Sequence, residues 1–348
     1  MKRKIFALLT VCAVVLSAVS VSFADPKDDK KVKTNNQLLA LLPPSDAAVA
    51  VDAKRFFGEA LPQILSANQP LLTEILGRFD EIKSRTGIDF KQFQQVAVGV
   101  SSIKPLENGY DFEPLILGRG QFKADGLITI AKTASNGKYR EEKIANKTVY
   151  IFSPQEVIEQ NKAKIGNSAL GDILNKMLVG LTKEMALTTY DDNTLVLGSL
   201  VRVREMFESK TRISPEVLDL VSRKPNALMN FGALVPNGLS EFMALDDDDL
   251  GKSLKGIRQL FGSVDVLGGN TTLSIVAKTA EAPQAKTLKD TLAGFQGLAG
   301  ILKASKREDQ KIYGRMLENT KIAQNGTEVT IDLQVPQTDL NVIVGAKK

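Results

Sequence analysis

The sequence predicts an α+β protein made of two tandem split-βαβ, ferredoxin-like units, with antiparallel sheets and helices packed on one face. Three observations carry this expectation. Val329, Ile331, Leu333 and Val335 alternate with Glu328, Thr330, Asp332 and Gln334, the pattern of a strand with one dry and one wet face, which is common in antiparallel sheets. Leu71, Leu72, Ile75, Leu76, Phe79 and Ile82 instead lay an apolar stripe along a helical period. The order strand–helix–strand–strand–helix–strand is then met twice, and that order is the split βαβ.

Taken in order, Pro43-Pro44-Ser45-Asp46 forms a turn before a strand at 47–51. A helical stretch follows with Leu61, Ile64 and Leu65, then a second segment for which Asn68 supplies a cap and Pro70 the first turn. Strands are expected at 96–100 and 115–122, a short helix at 125–134, and a hairpin over 139–152 turning near Asn146-Lys147. A helix carrying Leu170, Ile173, Leu174, Met177, Leu178 and Leu181 precedes a hairpin at 185–199 that turns on Asp191-Asp192-Asn193. A helix at 201–209 closes the first unit.

The second unit opens at Pro225-Asn226 with a strand over 227–234, followed by a helix over 250–261. Strands at 263–267 and 271–278 flank a Gly268-Gly269-Asn270 turn. Leu288, Leu292, Phe295, Ala299 and Leu302 mark one long amphipathic helix, along which Gly294, Gly297 and Gly300 would allow close approach to the sheet. The last hairpin turns on Asn325-Gly326, a strong short-range hairpin signal. The expected organisation is thus a signal peptide at 1–24, a polar tether at 25–42, a first α+β domain at 43–210, a linker at 211–224 and a second domain at 225–345.

The first residues read as an export signal. Lys2-Arg3-Lys4 precede an apolar run from Ile5, and Ser22-Phe23-Ala24 put small residues at −3 and −1 of a cleavage site between Ala24 and Asp25. The competing readings are an uncleaved anchor and a lipoprotein at Cys12. Val11 stands where a lipobox wants a small residue just before its cysteine. Cleavage removes three basic residues and no acidic one, so the net charge falls from +5 to +2, and the basic balance that would suggest nucleic acid disappears. The mature chain also loses its only cysteine. A large exported protein without disulfides fits a bacterial envelope, periplasmic or extracellular.

Composition excludes much chemistry. With no His in 348 residues, His-based acid–base and nucleophilic catalysis and His metal ligation are absent. Gly251-Lys252-Ser253 ends like a P-loop, but Asp246 stands where the first glycine belongs. Ser101-Ser102-Ile103-Lys104 and Ser135-Asn136-Gly137-Lys138 match Ser-x-x-Lys without the Lys-Thr-Gly that a penicillin-recognising enzyme needs. Gly118-Arg119-Gly120 reads as a bulge or a close backbone approach. The run Asp246, Asp247, Asp248 and Asp249 offers oxygen ligands for a cation, but lacks the alternating, glycine-centred loop of a calcium site; it reads as a solvated loop and helix cap. No catalytic, cofactor or metal residues are therefore assigned.

The strand opening at Pro44-Ser45-Asp46-Ala47, and the hairpin from Tyr190 to Ser199 that leads into a helix, resemble exported bacterial proteins of uncharacterised role built from duplicated α+β domains. The resemblance implies an envelope location and brings no site residues. The functional expectation is a non-enzymatic envelope protein that binds another protein. The alternatives are a periplasmic carrier of a lipid or other apolar ligand, and a carboxylate-dependent hydrolase. Neither nucleic acid nor an integral membrane span after cleavage is expected. Intact-mass measurement of the exported protein should return residues 25–348 without added lipid; a diacylated Cys12 or a retained N-terminus would overturn the processing.

Overall fold

The computed structural model describes residues 37–87, 89–106, 109–121, 126, 129, 135, 137–153, 184–235, 249–267 and 269–345. The helix expected at 125–134 falls almost wholly outside these residues, and the helix carrying Leu170 to Leu181 falls wholly outside them.

The strands are β1 (Ala47–Asp52), β2 (Phe93–Leu106), β3 (Gly109–Gly120), β4 (Tyr139–Ile144), β5 (Lys147–Phe152), β6 (Met185–Asp191), β7 (Thr194–Ser199), β8 (Met229–Leu234), β9 (Ile257–Leu267), β10 (Asn270–Thr279), β11 (Lys321–Asn325) and β12 (Glu328–Pro336). All twelve join one antiparallel sheet in the order β11-β12-β10-β9-β8-β1-β2-β3-β7-β6-β5-β4. The α+β, antiparallel expectation holds, but the split-βαβ order does not. β1 lies between β2 and β8, and each half runs as a three-strand meander followed by a second antiparallel run, β4 to β7 in the first half and the β11–β12 hairpin in the second, whose last strand docks beside the third. The pairing β1–β8 joins the halves, with Ala48 opposite Gly232 and Ala50 opposite Asn230.

Helices cover both faces, not the one expected. Burial in β5 to β7 is nearly continuous rather than alternating, the mark of strands dry on both sides. On the front face, α1 (Ala53–Arg55) and α2 (Leu61–Ile64), joined by a π-turn at Phe56–Ala60, lead into α3 (Gln69–Thr86). Asn68 Oδ1 accepts from Leu71 N–H as its cap, as expected. Ile64, Leu72, Val264, Leu273, Ile312, Leu333 and Leu340 share the front core.

On the back face α4 (Leu200–Glu208) and α5 (Pro215–Ser222) pack Val203, Met206, Val217 and Val221 against Ala48, Ala50, Ala97, Leu115 and Leu117. The segment 211–224 thus contains a helix seated on the sheet. Gly232 makes that seat possible, because a Cβ there would lie 2.6 Å from Leu220 Cβ. The end of the expected tether also belongs to this core. Leu38, Leu39 and Leu42 are almost fully buried, and buried Arg202 donates to Ser45 Oγ at 2.8 Å, pinning the strand entry to α4.

Further differences have local causes. Residues 257–261 extend β9 rather than continue α6 (Asp249–Lys255), because they pair with both β8 and β10. The long helix expected through Leu302 breaks at Gly297 into α7 (Ala282–Gln296) and α8 (Ala299–Lys303). A Cβ at Gly294 or Gly300 would meet nothing within 4 Å, so the expected close approach is absent there. Instead α9 (Glu308–Asn319) packs on α8 through Gly314, where a Cβ would lie 2.7 Å from Lys303. α10 (Gln337–Val344) follows β12 directly.

The hairpins meet expectation closely. Ala145 and Asn146 turn β4 into β5 with φ of 46° and 67°, the left-handed pair of a type I′ turn. Gly326-Thr327, one residue later than expected, turn β11 into β12. Among the described residues no helix is long and apolar enough to cross a membrane. Because Leu42 is fully buried, Leu42→Ala should cost about 2–5 kcal/mol in urea denaturation; a change under about 0.5 kcal/mol would return this segment to the tether.

Candidate functional site: a polar groove on the back of the sheet

The front face of the second half is dry, with Val264, Leu273 and Leu333 in the core. By the two-residue alternation of strands, Ser263 and Asp265 of β9, Thr272 and Ser274 of β10, and Asp332 and Gln334 of β12 project from the back. These six residues help line a groove of about 770 Å³, within the range of ligand pockets. One wall is the turn Lys224-Pro225-Asn226-Ala227 before β8, and the other comes from Asn319 and Lys321. From β8 to β11 the floor crosses five strands, roughly 19 Å at the usual strand spacing.

At one end the groove is rigid. Arg55, buried on α1, donates through Nη1 to the Asn226 carbonyl at 2.8 Å and through Nη2 to Asp265 Oδ1 at 2.9 Å. The guanidinium attracts the carboxylate's charged form, but burial outweighs it and pushes the Asp265 carboxyl above its ordinary range. At the other end the side chains are exposed. Lys321 and Asp332 face each other in register, yet among the described residues neither forms an ion pair or a side-chain hydrogen bond.

The geometry limits the chemistry. Asp265 is level with Thr272, and Asp332 with Ser274, so the carboxylates stand two strands and two residues apart, about 12 Å between α-carbons. That is wide for paired carboxylates acting on one bond. Among the described residues no group of three His, Cys, Asp or Glu could hold a metal. The groove offers hydroxyls, amides, two carboxylates and two ammonium groups, a surface for polar contact.

No protein-family model matches the chain. No curated protein matches it either. Among solved structures it is similar to TP0453. Crystal form IV of that protein superposes with a TM-score of 0.44 at 9% identity, covering 90% of this chain and 99% of that one. Form III gives 0.44 at 8% identity, over 88% and 96% of the two chains.

The residues singled out in the sequence do not meet in the groove. Ala24, Asp25, Asp246, Asp247 and Asp248 lie outside the described residues, and Asp249 is the first residue of α6. Gly251-Lys252-Ser253 lies within α6, where Ser253 Oγ is 3.1 Å from Thr291 Oγ1. It is therefore helix interior and not a phosphate loop. Ser101 to Lys104 belongs to β2. Gly118 and Gly120 lie under Phe93, whose ring would be 2.6 Å from a Cβ at Gly118, so the close-approach reading holds. Arg55, Asp265, Lys224, Lys321 and Asp332 carried no individual sequence signal; only the wet alternation of β12 pointed to this face.

The Arg55–Asp265 pair gives a pH test. A carboxyl whose folded pKa is raised contributes stability that is present below its unfolded pKa and lost as pH rises through the folded one. Removing the cation enlarges that loss. Arg55→Met should therefore cost about 3 kcal/mol or more at pH 7 and clearly less below pH 4, measured by denaturant titration across pH. An equal cost at both would show that the ion pair is not what Arg55 contributes.

Proposed function

We propose that this is an exported cell-envelope protein without chemistry of its own, whose sheet serves to bind another protein. The export signal motivates the location. The observation that carries the binding role is the groove: an open, polar surface with a rigid end at Arg55–Asp265 and unpaired groups at Lys321 and Asp332. Its surface mixes apolar and polar atoms, and the hydroxyls, amides and charges along it favour this reading over the apolar carrier, because a lipid chain would have to cover them without partners. The separation of the two carboxylates favours it over a hydrolase.

Photo-crosslinking tests the reading. A benzophenone amino acid placed at Thr272 of the full chain, expressed in a bacterial envelope, should give a discrete protein adduct that Asp332→Lys suppresses several-fold. Turnover of ester, phosphate or glycoside substrates that Asp332→Asn abolishes would overturn it. A stoichiometric lipid in organic extracts of the native protein would turn it toward the carrier.

A further inference from the structure

The sheet is open, so it has two edges, β4 and β11, and they differ. A free edge presents backbone N–H and C=O groups that can template another strand, and proteins commonly blunt it with charge. The β4 edge is blunted. Arg140 bridges Glu142 and Glu184, and Arg204 bonds Glu142 as well. The β11 edge carries Lys321, Ile322, Ala323, Gln324 and Asn325, with no such network among the described residues.

The hydrogen-bond phase of that edge follows from its neighbours. Thr327 C=O accepts from Thr279 N–H at 2.9 Å, so the odd-numbered residues of β12 bond toward β10. Its even-numbered residues Glu328, Thr330 and Asp332 bond toward their register partners Asn325, Ala323 and Lys321. The backbone groups of Ile322 and Gln324 therefore point off the sheet. Among the described residues no other element makes a backbone–backbone bond to 321–325.

We propose that β11 is a docking edge for an extended segment of a partner protein, added antiparallel, with an apolar residue opposite Ile322 and an acidic one opposite Lys321. The proposal rests on the protein-binding reading above and names the partner's chemistry. Ile322 belongs to the apolar layer with Ile331 and Val329 on the front, so an added strand would extend that layer. On the back, Lys321 is exposed and makes no ion pair among the described residues, and an incoming carboxylate would meet it. Main-chain bonds would supply affinity and the alternating side chains specificity. A second copy fits less well. Self-pairing about Ala323 would set Gln324 against Ile322 and Asn325 against Lys321, leaving the apolar and cationic positions unmatched.

The test uses the full mature chain and a fluorescein-labelled peptide of alternating valine and glutamate, read by fluorescence anisotropy, with the valine–lysine peptide beside it. The glutamate peptide should bind at least tenfold more tightly. Lys321→Glu should reverse that preference. Gln324→Pro removes one outward N–H at an edge position that tolerates proline, and should weaken both peptides at least tenfold while circular dichroism and melting stay those of the parent. Unchanged affinity in Gln324→Pro, an unmoved preference in Lys321→Glu, or no saturable binding would each overturn the edge. So would a concentration-dependent dimer in sedimentation that Gln324→Pro abolishes, which would make the occupant a second copy. A crosslinked envelope partner retained in full by Gln324→Pro would overturn the edge and leave the protein-binding reading standing, whereas no partner in the parent protein would overturn that reading itself.

Discussion

The architecture depends on one row of small residues. Gly232 of β8, Ala48 of β1 and Gly99 of β2 lie side by side in register across the seam between the halves. A Cβ at Gly232 would lie 2.6 Å from Leu220, and one at Gly99 would lie 2.6 Å from Ser45 Oγ and 3.2 Å from Leu42. The chain before β1 and the helix before β8 are thus both pressed onto the row, one at each end. Larger side chains would lift both elements off the sheet, and overpacking of this kind commonly costs about 1–3 kcal/mol. The seam is also where β1 pairs with β8, so the contact that merges the halves into one sheet is the one that fixes its cover.

This arrangement explains why the back face is covered unevenly. α4, α5 and residues 38–42 fill the back of the first half and reach β8 and the near end of β9. Beyond β8 the strands keep alternation, as β10 shows residue by residue, and past Phe261 and Val276 their back-facing side chains are polar. Sequence and cover therefore agree: strands under helices on both sides are nearly all apolar, and strands without a back cover carry Ser263, Ser274 and Asp332 there. Arg55 stabilises the boundary, tying α1 at the end of β1 to the turn before β8 and to β9.

How much was legible in the sequence follows from the range of the forces. Hairpins, caps and alternation act over a few residues, so the turns at Asn146 and Gly326, the Asn68 cap and the dry face of β12 could all be read locally. Strand order is set by contacts between distant segments, and a repeated run of elements does not distinguish a split βαβ from a meander with a docked second run. The first residues of β9 are apolar in a way that suits either period; pairing with β8 and β10 decides for the strand. The polar stretch read as a tether ends in three leucines whose burial needs the distant Val203 and Met206. The groove was less legible still, since its rigid end joins Arg55 to Asp265 across 210 positions.

The two sheet edges show what such long-range assembly permits. A closed barrel would remove both edges, but twelve strands with helices on both faces remain an open sheet whose edges must each be managed. At β4 the management is electrostatic, with Arg140, Glu142, Glu184 and Arg204 linked at the outermost strand. Each exposed pair contributes little to stability, so the network is better understood as a barrier: any added strand would have to displace it. At β11, among the described residues, there is only brevity, five residues with a single charge. A short edge limits runaway pairing because few hydrogen bonds form, while still admitting one segment whose side chains match on both faces. The wet groove and the apolar front meet along this strand, so a segment bound there touches both surfaces at once, and its side-chain alternation is set by the register of the sheet it joins.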